Sequence, residues 1–369
     1  VTFVTSSKPR ARAVDHLAVA IGTTKGLFFV SDGTVDGPFL AGESVGAFAQ
    51  SGDRFVVAST GAETGPAVRA SDDGGVSWSQ PTSVSLESPE RGANPAAIWQ
   101  LHVDRRPAAA GAIWAGADSA TLLRSEDGGE TFEPLVGFQE HPERPSWNPG
   151  RCGLALHSIV THPERADRIV VAISGAGVHK SDDGGKSWTA CNLGLGSPSA
   201  AEATPEAGPC VHKIAVDAVN PDVLWAQTRA GIYRTDDACE RWEPVGHAGD
   251  PTGLPADFGF TVVAHPADAG TAYLLPLESD AFRCTPQGRC RVYRTADGGH
   301  AWEALSDGLP GTNAFLTVLR DAFDIASDPP HPLVFGSKSG HVFASQDGGD
   351  SWRLVTSYLP PILCVRVLD

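Results

Sequence analysis

One eight-residue signature occurs six times along the chain, and its spacing leaves few architectures open. The copies begin at Ser71 (SDDGGVSW), Ser125 (SEDGGETF), Ser181 (SDDGGKSW), Thr235 (TDDACERW), Thr295 (TADGGHAW) and Ser345 (SQDGGDSW). Successive starts lie 54, 56, 54, 60 and 50 residues apart by subtraction. That is the period of a four-stranded blade with connections of varying length, so the pattern predicts an all-β propeller.

Each copy follows a short run of strand character, such as residues 121–124, 177–180, 231–234 and 291–294, and ends on an aromatic residue that opens the next strand. The signature is therefore expected to be a hairpin turn. Its Ser or Thr and central Asp bond the turn backbone, its glycines supply positive φ, and its Trp or Phe anchors the turn in the core. A seventh, degenerate copy begins at Gly26 and reaches Ser31, Asp32 and Gly33 without a Trp. A second strand recurs before each turn at residues 17–21, 55–58, 113–116, 168–173, 223–226, 272–275 and 333–336. These repeats make seven four-stranded antiparallel blades. The first blade lacks its own inner strand, and the strand-like run Pro361 to Val367 is expected to supply it, closing the ring and removing its open edges. The expected organisation is a single propeller over residues 1–369, with residues 1–13 as an N-terminal extension.

The signature resembles the Asp-box, or BNR repeat, S-x-D-x-G-x-T/S-W, of the sialidase-like β-propellers, and the resemblance covers nearly the whole chain. Bacterial seven-bladed proteins with a similar box pattern, labelled glycosyl hydrolase or exo-sialidase by analogy, belong to this group. In such propellers the boxes lie at the blade periphery, away from the ligand funnel. The acidic pairs Asp72/Asp73 and Asp182/Asp183 accordingly read as structural, since no box supplies the alternating oxygens and twelfth-position Glu of a calcium loop. No metal site and no cofactor are expected.

Charge narrows the partners. The 28 Lys and Arg against 44 Asp and Glu, a formal net charge of −16, weigh against a nucleic-acid ligand. No run of ~18 apolar residues marks a membrane span. Residues 1–15 lack the apolar core of a signal peptide, and a cytoplasmic location is the preferred expectation. A secreted or periplasmic form stays open, because the chain starts at Val1 and contains no Met. Seven cysteines are an odd count, and Cys284 and Cys290, close in one loop, read either as reduced thiols or as a bridge.

A propeller places its ligand where the inner strands converge on the central funnel. Aligning Leu101–Asp104, Ile159–His162, Ile214–Asp217, Val262–His265 and Ile325–Asp328 sets Trp99, His157, His212, Phe260 and Phe323 at one level. His157 and His212, with Lys213 adjacent and His102 nearby, offer a general acid and base, an anion contact, two ligands of a metal that lacks an obvious third, or simply inner-strand histidines that satisfy carbonyls or line a wet pore. A second group is Glu278, Asp280 and Arg283. On an extended segment the two carboxylates would share a face with Cα atoms roughly 6.5 to 7 Å apart, suited to glycosidic chemistry. Equally, these acids and Arg283 would merely pair with one another. The connection 138–152 is expected to cover the pore, with Trp147 as an aromatic platform and Arg144 and Arg151 beside it, while 194–210 reads as a flexible surface loop. Arg320, Asp321 and Asp324 add charge near the same entrance.

Sialidases use an Arg triad on the substrate carboxylate, a Tyr–Glu nucleophile pair, an Asp acid and an F/Y-R-I-P motif. That motif is absent here, and the four tyrosines fall at Tyr233 and Tyr293 just before boxes, at Tyr273 in a second strand and at Tyr358 after the last blade. Sialidase activity is therefore rejected. The expected function is binding of a small molecule, a carbohydrate or a protein partner through the funnel. The alternative is a glycoside hydrolase acting through Glu278 and Asp280, or a polysaccharide lyase in which His157 and His212 remove a proton. Trp99, His102, Trp147, Arg151, Lys213, Phe260, Arg283 and Arg320 are the expected ligand contacts.

Overall fold

The computed structural model describes residues 17–84, 97–106, 109, 111–147, 153–196, 208–249 and 251–368. The expected N-terminal extension, Arg151 and most of the expected loop at 194–210 lie outside them. The described residues form seven sheets of four antiparallel strands, arranged as a β-propeller. Blade one contains Ala18–Thr23, Gly26–Ser31 and Thr34–Phe39, and its inner strand is Ile362–Val367 from the far end of the chain. Val19 faces Val367 and Ile21 faces Val365, so the ring is closed as the sequence predicts.

The inner strands of blades two to seven are Ser44–Ser51, Ile98–Val103, Leu156–Thr161, Val211–Val216, Val263–Ala264 and Phe323–Ile325. Each is followed outward by two further strands and then by a short outer one such as Thr189–Ala190 in blade four. The second strands are apolar on both faces; Ile169–Ile173, for example, is buried throughout. That pattern follows from a sheet sandwiched between two neighbours. The core is accordingly laminated between blades, as where Val56, Ile98, Ile113 and Leu123 join blades two and three.

The eight-residue boxes close the turn from third to fourth strand through one repeated set of bonds. In the first, Ser71 Oγ donates to Asp73 Oδ1 at 2.8 Å and accepts from Gly75 N at 2.9 Å. Ser77 N and Oγ then donate to the Asp73 carboxylate at 2.9 and 2.5 Å. Ser181, Asp183, Gly185 and Ser187 repeat the arrangement. Hydrogen bonds from Ser77 bring the Asp73 carboxyl down to about 2, because they favour its charged form. The aromatic ends of the last four complete boxes, Trp188, Trp242, Trp302 and Trp352, are buried, whereas Trp78 and Phe132 are half-buried. The degenerate copy is a tight hairpin instead, with Asp32 and Gly33 at φ 51 and 77°, as an Asp-Gly turn favours.

Boxes also connect blades. Arg54 Nε donates to Gly128 O at 2.8 Å, Lys180 Nζ to Ala238 O at 3.3 Å and Arg294 Nη1 to Gly348 O at 3.0 Å. Each acceptor is the fourth residue of the next blade's box, so a cation from one blade repeatedly caps a turn carbonyl of the next. All boxes thus sit at the end of the ring where the inner strands finish. The opposite end, where the inner strands begin, gathers the connections between blades and the loops between second and third strands.

Candidate functional site

At the strand-start end, the inner strands carry a shared irregularity that aims side chains at the channel. The register gains a residue at Gly46, Trp99, His157 and His212, and at Leu363 in the closing strand. Blade six follows suit, since Gly259 faces Pro276 while Val263 faces Tyr273. A bulge leaves one side chain out of the ladder and redirects it. Trp99, His157, His212 and Phe260 therefore occupy one level, as the alignment predicts.

Blade seven departs from that alignment. Gly336 N bonds Ala322 O and Ala326 N bonds Pro332 O, the position that Asp217 N takes against Val223 O in blade five. Counting back from Ala326 brings Asp321, not Phe323, to the level of His212. Phe323 is instead buried, with its ring 6.2 Å from Phe335. The motif Ile325-Ala-Ser-Asp328 imitates Ile214-Ala-Val-Asp217 two residues out of place, and a two-residue slip preserves the facing pattern of a strand.

His157 is fully buried, with Nε2 3.2 Å from Ser174 Oγ and no hydrogen-bond partner on Nδ1. Burial holds its pKa well below the usual histidine value, and the positive charge of Arg320 adds to the effect. His212 is also buried, its Nδ1–H donates to Gly259 O at 2.6 Å, and its ring packs 4.8 Å from Phe260 and 5.3 Å from Phe258. Burial lowers its pKa to about 3, again with Arg320 contributing. Both imidazoles are neutral at neutral pH. Lys213 next door spends its charge on Asp321, with Nζ 2.6 Å from Oδ1.

Arg320 caps this cluster. Its guanidinium carbon lies 5.2 Å from the ring centres of both Trp99 and Phe260, a cation–π geometry. Trp99 is fixed in turn by Nε1 donating to Asp118 Oδ1 at 2.6 Å. Arg283 approaches from above, 5.4 Å from Phe260 and 5.9 Å from Phe258. Arg283 and Arg320, two of the cations expected at the funnel, thus stack on one aromatic set.

The segment carrying Glu278 and Asp280 is bent rather than extended. Glu278 N bonds Cys284 O at 2.7 Å, which folds residues 278–284 into a loop, so the expected shared face of the carboxylates is not formed. Glu278 is exposed, whereas Asp280 is held by Arg283 at 2.5 Å and by Arg229 at 2.9 Å. Cys284 and Cys290 are both free thiols.

Two expected contacts lie elsewhere. His102 is three residues past Trp99, about 10 Å farther along its strand, in a cavity of about 540 Å³ at the box end of the channel. Arg105, Arg366 and Asp324 line that cavity too, and burial lowers the His102 pKa to about 4. Trp147 is not a platform over the pore, because it is 5% exposed and packs against Phe138, His141 and His179 with centroids 5.7, 5.4 and 4.9 Å away. Its connection folds down between blades, where Arg144 bonds the carbonyls of Ser119 and Ala120. Among the described residues, no three His, Cys, Asp or Glu side chains converge as a metal set.

The sequence reading did not single out Arg229, Phe258, Phe282, Phe315 and Arg366. Phe282 and Phe315 come from the two long connections of blade six, form an edge-on pair with centroids 6.2 Å apart, and are 51% and 55% exposed. An exposed Phe in each of two loops of one blade is a readable signal, but only the fold brings the two together.

The fold has clear structural relatives. A GH74 xyloglucanase from Xanthomonas campestris superposes with a TM-score of 0.61 and 18% identity over 92% of this chain and 52% of its own length. An ancestral GH74 enzyme matches with a TM-score of 0.59 and 16% identity over 95% of this chain and 41% of its own. YCF48 bound to D1 peptide matches with a TM-score of 0.55 and 14% identity over 94% and 88%. The chain therefore spans about half the length of the xyloglucanase. At these identities the likeness establishes the propeller and nothing finer. No protein-family model and no curated protein sequence matches the chain. No helix of the described residues is long and apolar enough to cross a membrane.

Proposed function

We propose that this chain is a BNR-type propeller that binds a protein partner or ligand on the strand-start face of its channel, and that it is not a sialidase. The observation that carries this reading is the Phe282–Phe315 pair, more than half exposed beside Arg283, which with Arg229 holds Asp280. The two loops form one pre-ordered pad: Thr285 N bonds Leu316 O at 2.9 Å, Ala314 N bonds Gly288 O at 2.8 Å, and Thr317 Oγ1 donates to Arg283 O at 2.5 Å. Exposed aromatic and Arg side chains on a rigid base are the groups that carry interface energy. YCF48, whose structure holds a D1 peptide, provides a precedent for peptide binding on this architecture.

A hydrolase or lyase is the less favoured alternative. Asp280 is engaged by two arginines, Glu278 is not paired with it, and His157 and His212 are both buried, the latter against the rings of Phe258 and Phe260. A catalytic pair needs its two groups converging on one substrate, and the loop that holds Asp280 between two arginines and leaves Glu278 apart does not offer that.

The test is a thermal-shift and titration screen of peptides and of neutral and acidic oligosaccharides, on wild type and on Phe282→Ser/Phe315→Ser. Saturable binding that falls at least tenfold in the double variant is expected. Binding unaffected by the substitutions would remove this face from consideration. Cleavage or unsaturated sugar products in the same incubations, lost on Glu278→Gln or His157→Ala, would replace the reading with the enzymatic one.

A further inference from the structure

The box beginning at Thr235 breaks the repeat in one respect: Ala238 and Cys239 stand where the other complete boxes carry two glycines. Both nevertheless keep the glycine conformation, at φ 57 and 66°. A side chain is unfavourable in that region, so a cysteine held there has a local use or a compensating contact. Cys239 is fully buried in one cluster with Cys191 of the neighbouring blade, whose thiol lies 3.6 Å from Thr189 O. The repeat sets the two side by side: a Cβ on Gly185, Gly299 or Gly349, the counterparts of Cys239, would meet Leu135, Val245 or Leu305, the counterparts of Cys191, at 2.4, 2.6 and 2.6 Å. The surroundings fix both partners. Cys191 N donates to Val178 O at 2.8 Å, and Trp242 Nε1 donates to Cys191 O at 2.9 Å.

A cation completes the arrangement. Lys180, whose side chain is 8% exposed, donates to Ala238 O at 3.3 Å and pairs with Glu240 at 2.5 Å, and its charge acts on both sulfurs. The neighbouring Cys239 thiol, helped by Lys180, holds the Cys191 thiol below the ordinary cysteine value, while burial pushes Cys239 well above it. That asymmetry gives one attacking sulfur and one resolving sulfur.

We propose that Cys191 and Cys239 form an oxidation site, converted by a peroxide to a disulfide that ties blade four to the box of blade five. The Cys191 thiolate attacks one oxygen of hydrogen peroxide, the O–O bond breaks, and the departing hydroxide leaves as water after taking a proton, giving a sulfenic acid. Cys239 then attacks the Cys191 sulfur. The S–S bond forms, the S–O bond breaks, and a second water leaves with the Cys239 proton. In sum, two thiols give up two electrons and two protons, and one peroxide becomes two waters. Cys191 is 7% exposed, an opening suited to a small neutral oxidant. The bond would close a loop between positions 48 apart (239 minus 191), which restricts the unfolded chain.

The experiment treats the reduced full chain with hydrogen peroxide, counts free thiols after denaturation, and maps unreduced peptides by mass spectrometry. Two of the seven thiols should disappear, with a Cys191–Cys239 linked peptide lighter by two hydrogens. The unfolding temperature should rise by roughly 5 °C and return on reduction. Cys239→Gly restores the residue of the other boxes and keeps the fold testable, and it should abolish both the linked peptide and the rise. Absence of the linked peptide, sulfinic acid on Cys191 with Cys239 still free, or the same temperature shift in Cys239→Gly would each overturn the proposal.

Discussion

Lys213 and Asp321 form an ion pair across the channel, Nζ to Oδ1 2.6 Å, although they belong to blades five and seven and lie 108 residues apart. Both side chains are at most a tenth exposed. Asp321 also lies 3.6 Å from Arg366 of the closing strand, and Arg366 in turn reaches Asp324 at 3.1 Å. Alternating charges thus tie blades five and seven to the strand that completes the ring. Asp321→Ala leaves Lys213 buried with its nearest counter-ion gone, and should cost about 3 to 5 kcal/mol. Lys213→Met/Asp321→Leu should recover much of that loss. Urea unfolding of the single and double variants checks the order, and a double variant less stable than Asp321→Ala would contradict this account of the pair.

Stability should fall in two stages on acidification. His212, with a folded pKa of about 3, and His102 and His179, at about 4, are held below the ordinary histidine value chiefly by burial. As pH drops below about 6.5, the unfolded chain takes up protons that these folded sites refuse, so stability is full above that pH and declines below it. Each such histidine contributes a slope of about 1.4 kcal/mol per pH unit. The box carboxylates act later. Asp73, at about 2, loses its contribution as pH falls from about 4 toward that value. Urea midpoints across pH 7 to 4 should show a shallower slope in His212→Phe than in wild type, whatever its stability at pH 7. An unchanged slope would mean that His212 titrates normally in the folded protein.

Repetition accounts for what the sequence made legible. Boxes at near-constant spacing specify the blades, the turns and the ring closure, because each depends on local bonds that recur, such as Ser71 to Asp73 and Ser181 to Asp183. The shared level of Trp99, His157 and His212 was readable for the same reason. Asp321 was legible only as a charge near the entrance; its place at that level escaped because strand period two makes a two-residue slip invisible, and its pairing with Lys213 because a buried pair between blades leaves no local mark. Trp147 was misread since an aromatic residue in a long connection looks alike whether it caps a pore or fills a gap beside Phe138. The Phe282–Phe315 pad depends on two loops meeting, which no single segment announces.

Ala238 at φ 57° predicts a gain from glycine. Its carbonyl accepts from Lys180, an interaction that needs no side chain at 238. Removing Cβ relieves the left-handed strain, while the added freedom of the unfolded chain offsets part of the relief. Ala238→Gly should therefore stabilise by about 0.5 to 1 kcal/mol, read as a higher unfolding temperature. A lower one would show that Ala238 packing outweighs its backbone strain.

Three glycines after outer strands supply the sharpest ordering test. Gly194, Gly253 and Gly308 have φ of 89, 92 and 78°, so each disfavours a side chain on backbone grounds alone. Each also abuts the box Trp of the next blade, whose N–H donates to the residue just before the glycine: Trp242 to Leu193 O at 2.9 Å, Trp302 to Thr252 O at 2.8 Å and Trp352 to Asp307 O at 2.9 Å. The space left for a Cβ differs. It would lie 2.0 Å from Trp242 O at Gly194 and 1.9 Å from Trp352 O at Gly308, but 2.9 Å from Trp302 O at Gly253. Backbone strain is common to all three, roughly 1 to 2 kcal/mol. The collision with a carbonyl adds to it at Gly194 and Gly308, where relief requires two blades to separate and exposes an anchored Trp. Gly194→Ala and Gly308→Ala should each lose more than about 2 kcal/mol, and Gly253→Ala distinctly less. Equal losses at all three positions would mean that backbone conformation alone sets the cost and that the blades yield freely at these contacts.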